Sequence, residues 1–385
     1  MPVETTRRRT VLALAGVAAL AAGTTAVQPA VAETGFIANS FYNAEHPLSK
    51  YTYLEWGEKV EEASGGALKP EVYTGTVLLA PRATLQGIRD NVVQVGSHPA
   101  VYTPSEMPVA MAVQELGFNF DDALAVLLAV TDWSMTNQTQ LDEWKTNEIV
   151  YLGGYATPPY LLFCREPVTN LEEIKGKRLR TAGSTVSQWV EEVGGIPVNV
   201  PSSEMYSGLD RGTLDCATNA GSDLIDRSLW EVAPHTTVLS TGMYYSGPKW
   251  GYNTDFWASL SPEERKTLMD VTADAVARLG VNYTKRANDA LKEAAEKGNT
   301  IHEPAEDLMA SVEAFREKSL ADVYKAAEEK YGLTNGQEVV DDFRAAVDRW
   351  TTLLEGIDRT DEAAVAELVK TEIYDKLDPA TYGVN

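Results

Sequence analysis

Two hydrophobic periodicities alternate along this chain. Short apolar runs with strand character, at residues 36–40, 68–73 and 92–96, are separated by stretches whose apolar positions recur at helical spacing. In the first such stretch, residues 48–63, Leu54, Trp56 and Val60 alternate with Glu55, Glu58, Lys59, Glu61 and Glu62, which predicts an amphipathic helix lying over a sheet. Pro47 opens it and Gly65-Gly66 end it. Residues 81–90 read as a second helix, 107–128 and 132–146 as helix-rich, and 149–155 and 160–165 as further strands. Strands alternating with helices in this way imply a largely parallel sheet covered on both faces.

The stretch 170–219 repeats the pattern more tightly. Asn170 can cap a short turn with Glu172 and Glu173 where a helix dipole favours them, and Gly176 stops it. A strand at 177–181 follows and aims Arg180 at whatever lies beyond its end. Ser184 or Thr185 is placed to cap a helix over 185–193, which Gly194-Gly195 end before extended runs at 196–200 and 215–219. Such a unit sets strand ends and helix starts on one rim, where ligands of α/β proteins bind. Further on, 222–229 is helical and 237–245 and 249–253 are extended. Ser261-Pro262-Glu263-Glu264 is a capping box that opens a helical pattern running to about Lys297, with Gly280 its one soft point. The alternative is two helices broken near Gly280. Beyond Gly332, residues 336–376 continue as helices with an apolar stripe of Phe343, Val347, Trp350, Leu353 and Leu354, which either packs on the preceding domains or forms a dimer contact.

The N-terminus changes the compartment. Arg7-Arg8-Arg9, an apolar run to about Ala22 and the Ala30-Val31-Ala32 site predict an export signal cleaved near Ala32, of a form that suits the twin-arginine or the Sec route. The run is short for a membrane anchor. The remainder, residues 33–385, is long enough for two domains. A net charge of −23 excludes nucleic acid and anionic membrane surfaces as expected partners. Cys164 and Cys216 fall in extended segments of one presumed domain, where an oxidising compartment would permit a disulfide if the two approach. His46, His98, His235 and His302 have no zinc-site spacing, so no metal or cofactor is expected.

No phosphate loop, nucleophile elbow or zinc-protease motif occurs in the sequence. A secreted hydrolase using paired carboxylates remains the alternative, since such pairs leave no motif. A binding role needs a few polar groups converging in a cleft. Arg180 suits it best, because a guanidinium presents paired donors that match the two oxygens of a carboxylate.

The run Asn170-Leu-Glu-Glu-Ile-Lys-Gly-Lys-Arg-Leu-Arg180, with Ser203-Glu204-Met205-Tyr206, Gly212-Thr-Leu-Asp215 and Asn219, resembles the DctP-type extracytoplasmic solute-binding proteins of TRAP transporters. The likeness extends from His46-Pro47 through Gly65-Gly66 and Glu71-Val-Tyr73 to about Gly332. It implies a two-domain α/β periplasmic binding protein fold, type II-like, with one long helix behind both domains and extra C-terminal helices. The domains would comprise 33–157 with 247–290 and 158–246 with 291–335, followed by an extension at 336–385. It implies a periplasmic, non-enzymatic receptor that closes on a small organic anion and passes it to a TRAP membrane permease, without itself inserting into the membrane.

By resemblance, Arg180 is the selectivity arginine, in its Lys-Gly-x-x-hydrophobic-Arg context, and Asn219 a ligand-holding asparagine, although Cys216-Ala217-Thr218 replaces the usual Gly-Gln-Glu before it. Asn39 or Ser40 corresponds to another polar contact. Tyr102 and Tyr160 stand near positions where relatives with more acidic ligands carry arginines, and Tyr42, Trp189, Tyr244, Tyr245 and Trp250 are further candidates for aromatic walls. One fixed cation and aromatic walls favour a monocarboxylate whose remainder is apolar, aromatic or a quaternary ammonium.

Overall fold

The computed structural model describes residues 33–384, and the expected export segment lies outside the described residues. One five-stranded sheet has the order β2-β1-β3-β10-β4, built from β1 (Thr34–Ser40), β2 (Leu68–Thr74), β3 (Val95–Gly96), β4 (Ile149–Tyr151) and β10 (Gly251–Asn253). A six-stranded sheet has the order β11-β9-β5-β8-β6-β7, built from β5 (Tyr160–Cys164), β6 (Arg178–Arg180), β7 (Ile196–Val198), β8 (Cys216–Ala220), β9 (His235–Thr237) and β11 (Thr300–His302).

Both sheets are mixed, where the alternation of elements predicted largely parallel ones. Parallel pairing holds for β1 with β2 and β3, for β6 with β7 and β8, and for β9 with β11. By contrast β10 is antiparallel to β3 and β4, and β5 to β8 and β9. The cause is chain path. Each antiparallel strand enters its sheet directly from the other one, with no crossover helix to return it in parallel. The two crossings, residues 152–159 and 238–250, run side by side and bond to each other through Leu152 N–H to Trp250 O and Thr157 N–H to Tyr244 O, both at 2.9 Å. Most of the expected strand 237–245 is therefore a crossing and not a sheet member.

Helix Pro262–Glu296 is unbroken over 35 residues, about 52 Å at the usual rise. Its Ser261/Glu264 capping box forms as expected. Its first half packs on helix Glu55–Ala63, where the Trp56 indole donates to Thr272 at 3.1 Å, and its last turns reach helix Asp223–Asp226 and β11 of the other half. Gly280 is no break. A Cβ there would stand 2.5 Å from Leu124 Cδ1, so the glycine answers the close approach of helix Ala123–Thr136.

The C-terminal helices Gly336–Leu353 and Glu362–Glu372 pack on the first half. Phe343 lies edge-on to Trp133 at 5.4 Å and stacks on Tyr245 at 5.4 Å, and the Trp350 indole donates to Asp132 at 2.9 Å. The apolar stripe is thus used within the chain, where full burial of each large side chain contributes roughly 1.5–3 kcal/mol.

Cys164 and Cys216 stand opposite each other in the β5/β8 register, 4.1 Å apart at Cα, and form a disulfide. Closing a loop of 52 residues stabilises the fold by about 2–4 kcal/mol. No helix of the described residues is long and apolar enough to cross a membrane.

Candidate ligand-binding site

Strand register brings three side chains to one end of the second sheet. Arg180 closes β6 and pairs with Ala217 of β8, while Tyr160 and Leu161 of β5 stand opposite Ala220 and Asn219. Facing them are the loops that leave β1, β3 and β4 of the first sheet, which supply Tyr42 and His46, Val101 and Tyr102, and Tyr155 and Thr157. Together with Tyr244 from a crossing and Tyr283 from the long helix, these residues line a narrow cavity between the two sheets.

Arg180 is 2 % exposed. Its Nε donates to Val200 O and its Nη1 to Thr218 O, both at 3.1 Å. Nη2 has no hydrogen-bond partner and the guanidinium no carboxylate partner among the described residues. The backbone thus fixes the plane of the group and leaves one donor edge to the cavity. The approach to it follows the sequence: Asn170 Oδ1 accepts from the N–H groups of Glu172 and Glu173, and Gly176 takes φ 71° before β6. Arg178 points away and pairs with Asp215 at 2.8 Å. Ser184 and Thr185, the expected caps of helix Ser184–Glu192, do not cap it. Their hydroxyls donate instead to the carboxylate of buried Glu115, which also accepts from Lys330 and Tyr331 and so ties the two halves together.

A buried ionic cluster stands beside the arginine. Asp223 Oδ1 accepts from His46 Nε2 at 2.8 Å, and Oδ2 accepts from Arg227 Nε at 2.9 Å and Asn219 Nδ2 at 2.7 Å. Leu48 N–H donates to His46 Nδ1 at 3.1 Å, which leaves that nitrogen no proton and fixes the neutral Nε2–H tautomer. Burial accordingly pushes the imidazole down to about 4, against the pull of Asp223. Burial would raise the Asp223 carboxyl, but the Arg227 guanidinium, the His46 hydrogen bond and the Arg180 guanidinium together outweigh it and hold the group below the usual carboxylate range. With His46 neutral, Arg227 is the charge partner of Asp223. The same guanidinium lies 5.2 Å from the Tyr42 ring centroid, and buried Lys249 lies 5.1 Å from it.

Six tyrosines, Tyr42, Tyr102, Tyr155, Tyr160, Tyr244 and Tyr283, line the cavity. Burial raises the hydroxyl pKa of Tyr42, Tyr155, Tyr160, Tyr244 and Tyr283, so each stays protonated. Among the described residues, no group of three or more His, Cys, Asp and Glu side chains is arranged to hold a metal ion.

Of the residues expected at a site, the structure brings Arg180, Asn219, Tyr42, Tyr102, Tyr160 and Tyr244 to this cavity. It does not bring the other five there. Ser40 donates to Leu48 O at 3.1 Å beneath the first loop, and Asn39 is fully buried within the sheet. Trp189 packs in the second half's core 6.0 Å from Phe118, Tyr245 donates to Val113 O, and Trp250 stacks on Tyr53. All three are core rings, because their helix or crossing turns them toward the apolar interior.

Asp223, Arg227, Tyr155, Thr157 and Tyr283 were not expected. Asp223 and Arg227 had a readable signal, an i,i+4 acid–base pair just past Asn219. Tyr155 had one too, since it ends the expected strand 149–155 as Arg180 ends β6.

Residues 38–330 match the model of bacterial extracellular solute-binding protein family 7, DctP. The chain is 28 % identical over 318 residues to the ectoine-binding periplasmic protein TeaA of Halomonas elongata, covering 79 % of this chain and 81 % of that one. It is 26 % identical over 331 residues to the C4-dicarboxylate-binding periplasmic protein DctP of Rhodobacter capsulatus, covering 84 % and 95 %. In fold it is similar to a marine metagenome TRAP solute-binding protein specific for aromatic acid ligands, from an unidentified microbe and in complex with 3-hydroxybenzoate, with a TM-score of 0.73, 23 % identity, and coverage of 83 % of this chain and 99 % of that one. The family match spans most of the chain, both sheets and the cavity between them, and it assigns binding rather than hydrolysis: the chain belongs to the DctP family of bacterial extracellular solute-binding proteins.

Proposed function

We propose that this protein is the exported receptor of a TRAP transporter, that its two sheets carry lobes which close on a small organic monocarboxylate, and that the closed form docks on a membrane permease. The observation that carries this reading is Arg180, a buried cation held by two carbonyls with a donor edge left to a cavity lined by six phenols and by the Asp223 carboxylate that Arg227 already pairs. Burial strengthens a charge-assisted pair, and closure supplies that burial.

The surroundings argue against a second carboxylate. Arg227 is already paired with Asp223, and an anion without a partner there would cost several kcal/mol. They also favour an aromatic or apolar remainder over a quaternary ammonium, since the Tyr42 ring is already flanked by Arg227 and Lys249. Of the related proteins, the one specific for aromatic acid ligands agrees with this reading, whereas the one named for C4-dicarboxylates takes the class of ligand that it argues against.

A thermal-shift series with monocarboxylates, dicarboxylates and betaines tests the reading, because a ligand bound only by the folded form raises Tm. The largest shift is expected from an aromatic or branched monocarboxylate. Succinate or malate giving the largest shift would count against the aromatic-wall reading. Export with removal of residues 1–32 is part of the proposal, and the mass of the periplasmic form should then begin at Glu33. Retention of Met1 would refute it.

A further inference from the structure

The cavity has one feature that a plain carboxylate leaves unanswered. Tyr155 is 1 % exposed and lines the cavity, yet its hydroxyl has no hydrogen-bond partner among the described residues. A buried phenol without a partner is costly, and native structures rarely keep one without a reason. Two neighbouring phenols do have partners. Tyr244 Oη accepts from Val101 N–H at 2.9 Å, and Tyr102 Oη accepts from Ser202 N–H at 3.3 Å.

The ring of Tyr155 is also held in place. It lies 6.1 Å from that of Tyr244, and it follows Gly153 and Gly154, where a Cβ would stand 2.9 Å from the Trp250 ring and 2.4 Å from Tyr151 Oη. The backbone before it is therefore locked against the core, and the hydroxyl has little freedom to turn toward a partner within the protein. Its leading electrostatic neighbours are phenols, those of Tyr42, Tyr244, Tyr160 and Tyr102, with no charged side chain among them.

We infer that the ligand carries, besides the carboxylate received by Arg180, an uncharged hydroxyl or carbonyl oxygen that hydrogen-bonds to the Tyr155 hydroxyl. This rests on the monocarboxylate reading above and adds a second point of recognition to it. Tyr155 is then a specificity-determining residue, and the ligand class narrows to hydroxy and oxo monocarboxylates. A phenol suits this part because it both donates to a carbonyl and accepts from a hydroxyl. A site built around a buried hydrogen-bonding group rejects the analogue that lacks the matching group, because its own polar atom is then left alone.

Calorimetry on the mature protein tests the inference with matched pairs: benzoate against its three monohydroxy isomers, phenylacetate against mandelate, and phenylacetate against phenylpyruvate. In the wild type at least one hydroxy or oxo acid should bind about tenfold or more tighter than its parent. In Tyr155→Phe that ratio should collapse toward one. Wild-type ratios near one across all pairs would overturn the inference without any variant. So would a preference that survives intact in Tyr155→Phe. Arg180→Ala separates the two readings: loss of every acid in that variant leaves the carboxylate reading standing whatever the pairs show. Failure of every acid to bind the wild type would remove that reading and the inference with it.

Discussion

Arg180→Ala should lower the affinity for the bound carboxylate by at least about 2–5 kcal/mol, a loss of roughly thirtyfold to several thousandfold, because it leaves a buried anion without its partner. Arg180→Lys should recover little of this. The guanidinium serves three directions at once, with Nε on Val200 O and Nη1 on Thr218 O while Nη2 remains for the ligand. An ammonium is a compact charge without that planar fork and cannot hold the same plane. Alanine also strands the two carbonyls, at a cost to folding of about 1–3 kcal/mol. Affinity must therefore be measured on protein shown to be folded by its unfolding transition. A folded Arg180→Ala protein with wild-type affinity would remove the arginine from the site.

Strand-end positions were the most legible part of the sequence. The capped turn at Asn170, the glycine at 176 and the short apolar run after it located β6, and its last residue faces the cavity as that reading required. The capping box at Ser261 located the long helix for the same reason, since both signals are local and depend on neighbouring residues alone. Where a partner comes from far along the chain, local reasoning failed. Ser184 and Thr185 have the chemistry of caps, but Glu115 sits 69 residues earlier and claims their hydroxyls. Gly280 has the chemistry of a helix break, but Leu124 on another helix explains it. Trp189, Tyr245 and Trp250 show the same limit from another side. An aromatic residue fills a core or lines a site with equal ease, and only the direction of its element decides. The antiparallel entry of β5 and β10 was likewise invisible, because strand direction is set by the crossings and not by the composition of either strand.

The cluster around Asp223 is expected to give the largest effect on stability. Asp223→Ala leaves the buried Arg227 charge without its carboxylate and removes the acceptor of His46 and Asn219, so unfolding free energy should fall by about 3–5 kcal/mol. Replacing both Asp223 and Arg227 with apolar residues should cost much less than the sum of the single changes, since no orphaned charge remains. Additive losses in urea unfolding would show that the two groups are not coupled.

The same cluster makes stability depend on pH. His46 titrates near 6.5 when unfolded and at about 4 when folded, so between those values the unfolded chain binds the extra proton. The His46 contribution should therefore be intact above about pH 6.5 and be lost as pH drops toward 4, by roughly 3 kcal/mol, and buried His98, pushed down to about 3, adds a loss of the same sign. The depressed carboxyl of Asp223 acts in the same direction at lower pH, where its protonation removes the charge that Arg227 needs. His46→Gln should flatten the upper part of this slope, and an unchanged slope would place the titration elsewhere.

Tyr42 and His46 leave the first sheet while Asp223 and Arg227 leave the second, so the cluster is also a contact between the halves. If the halves close on the ligand as proposed, Asp223→Ala should weaken binding even of acids that never touch residue 223, and acid pH should weaken it in the wild type but not in His46→Gln. Equal affinity at pH 7.5 and pH 5 in the wild type, measured with an acid that stays ionised throughout, would confine the cluster to a structural role.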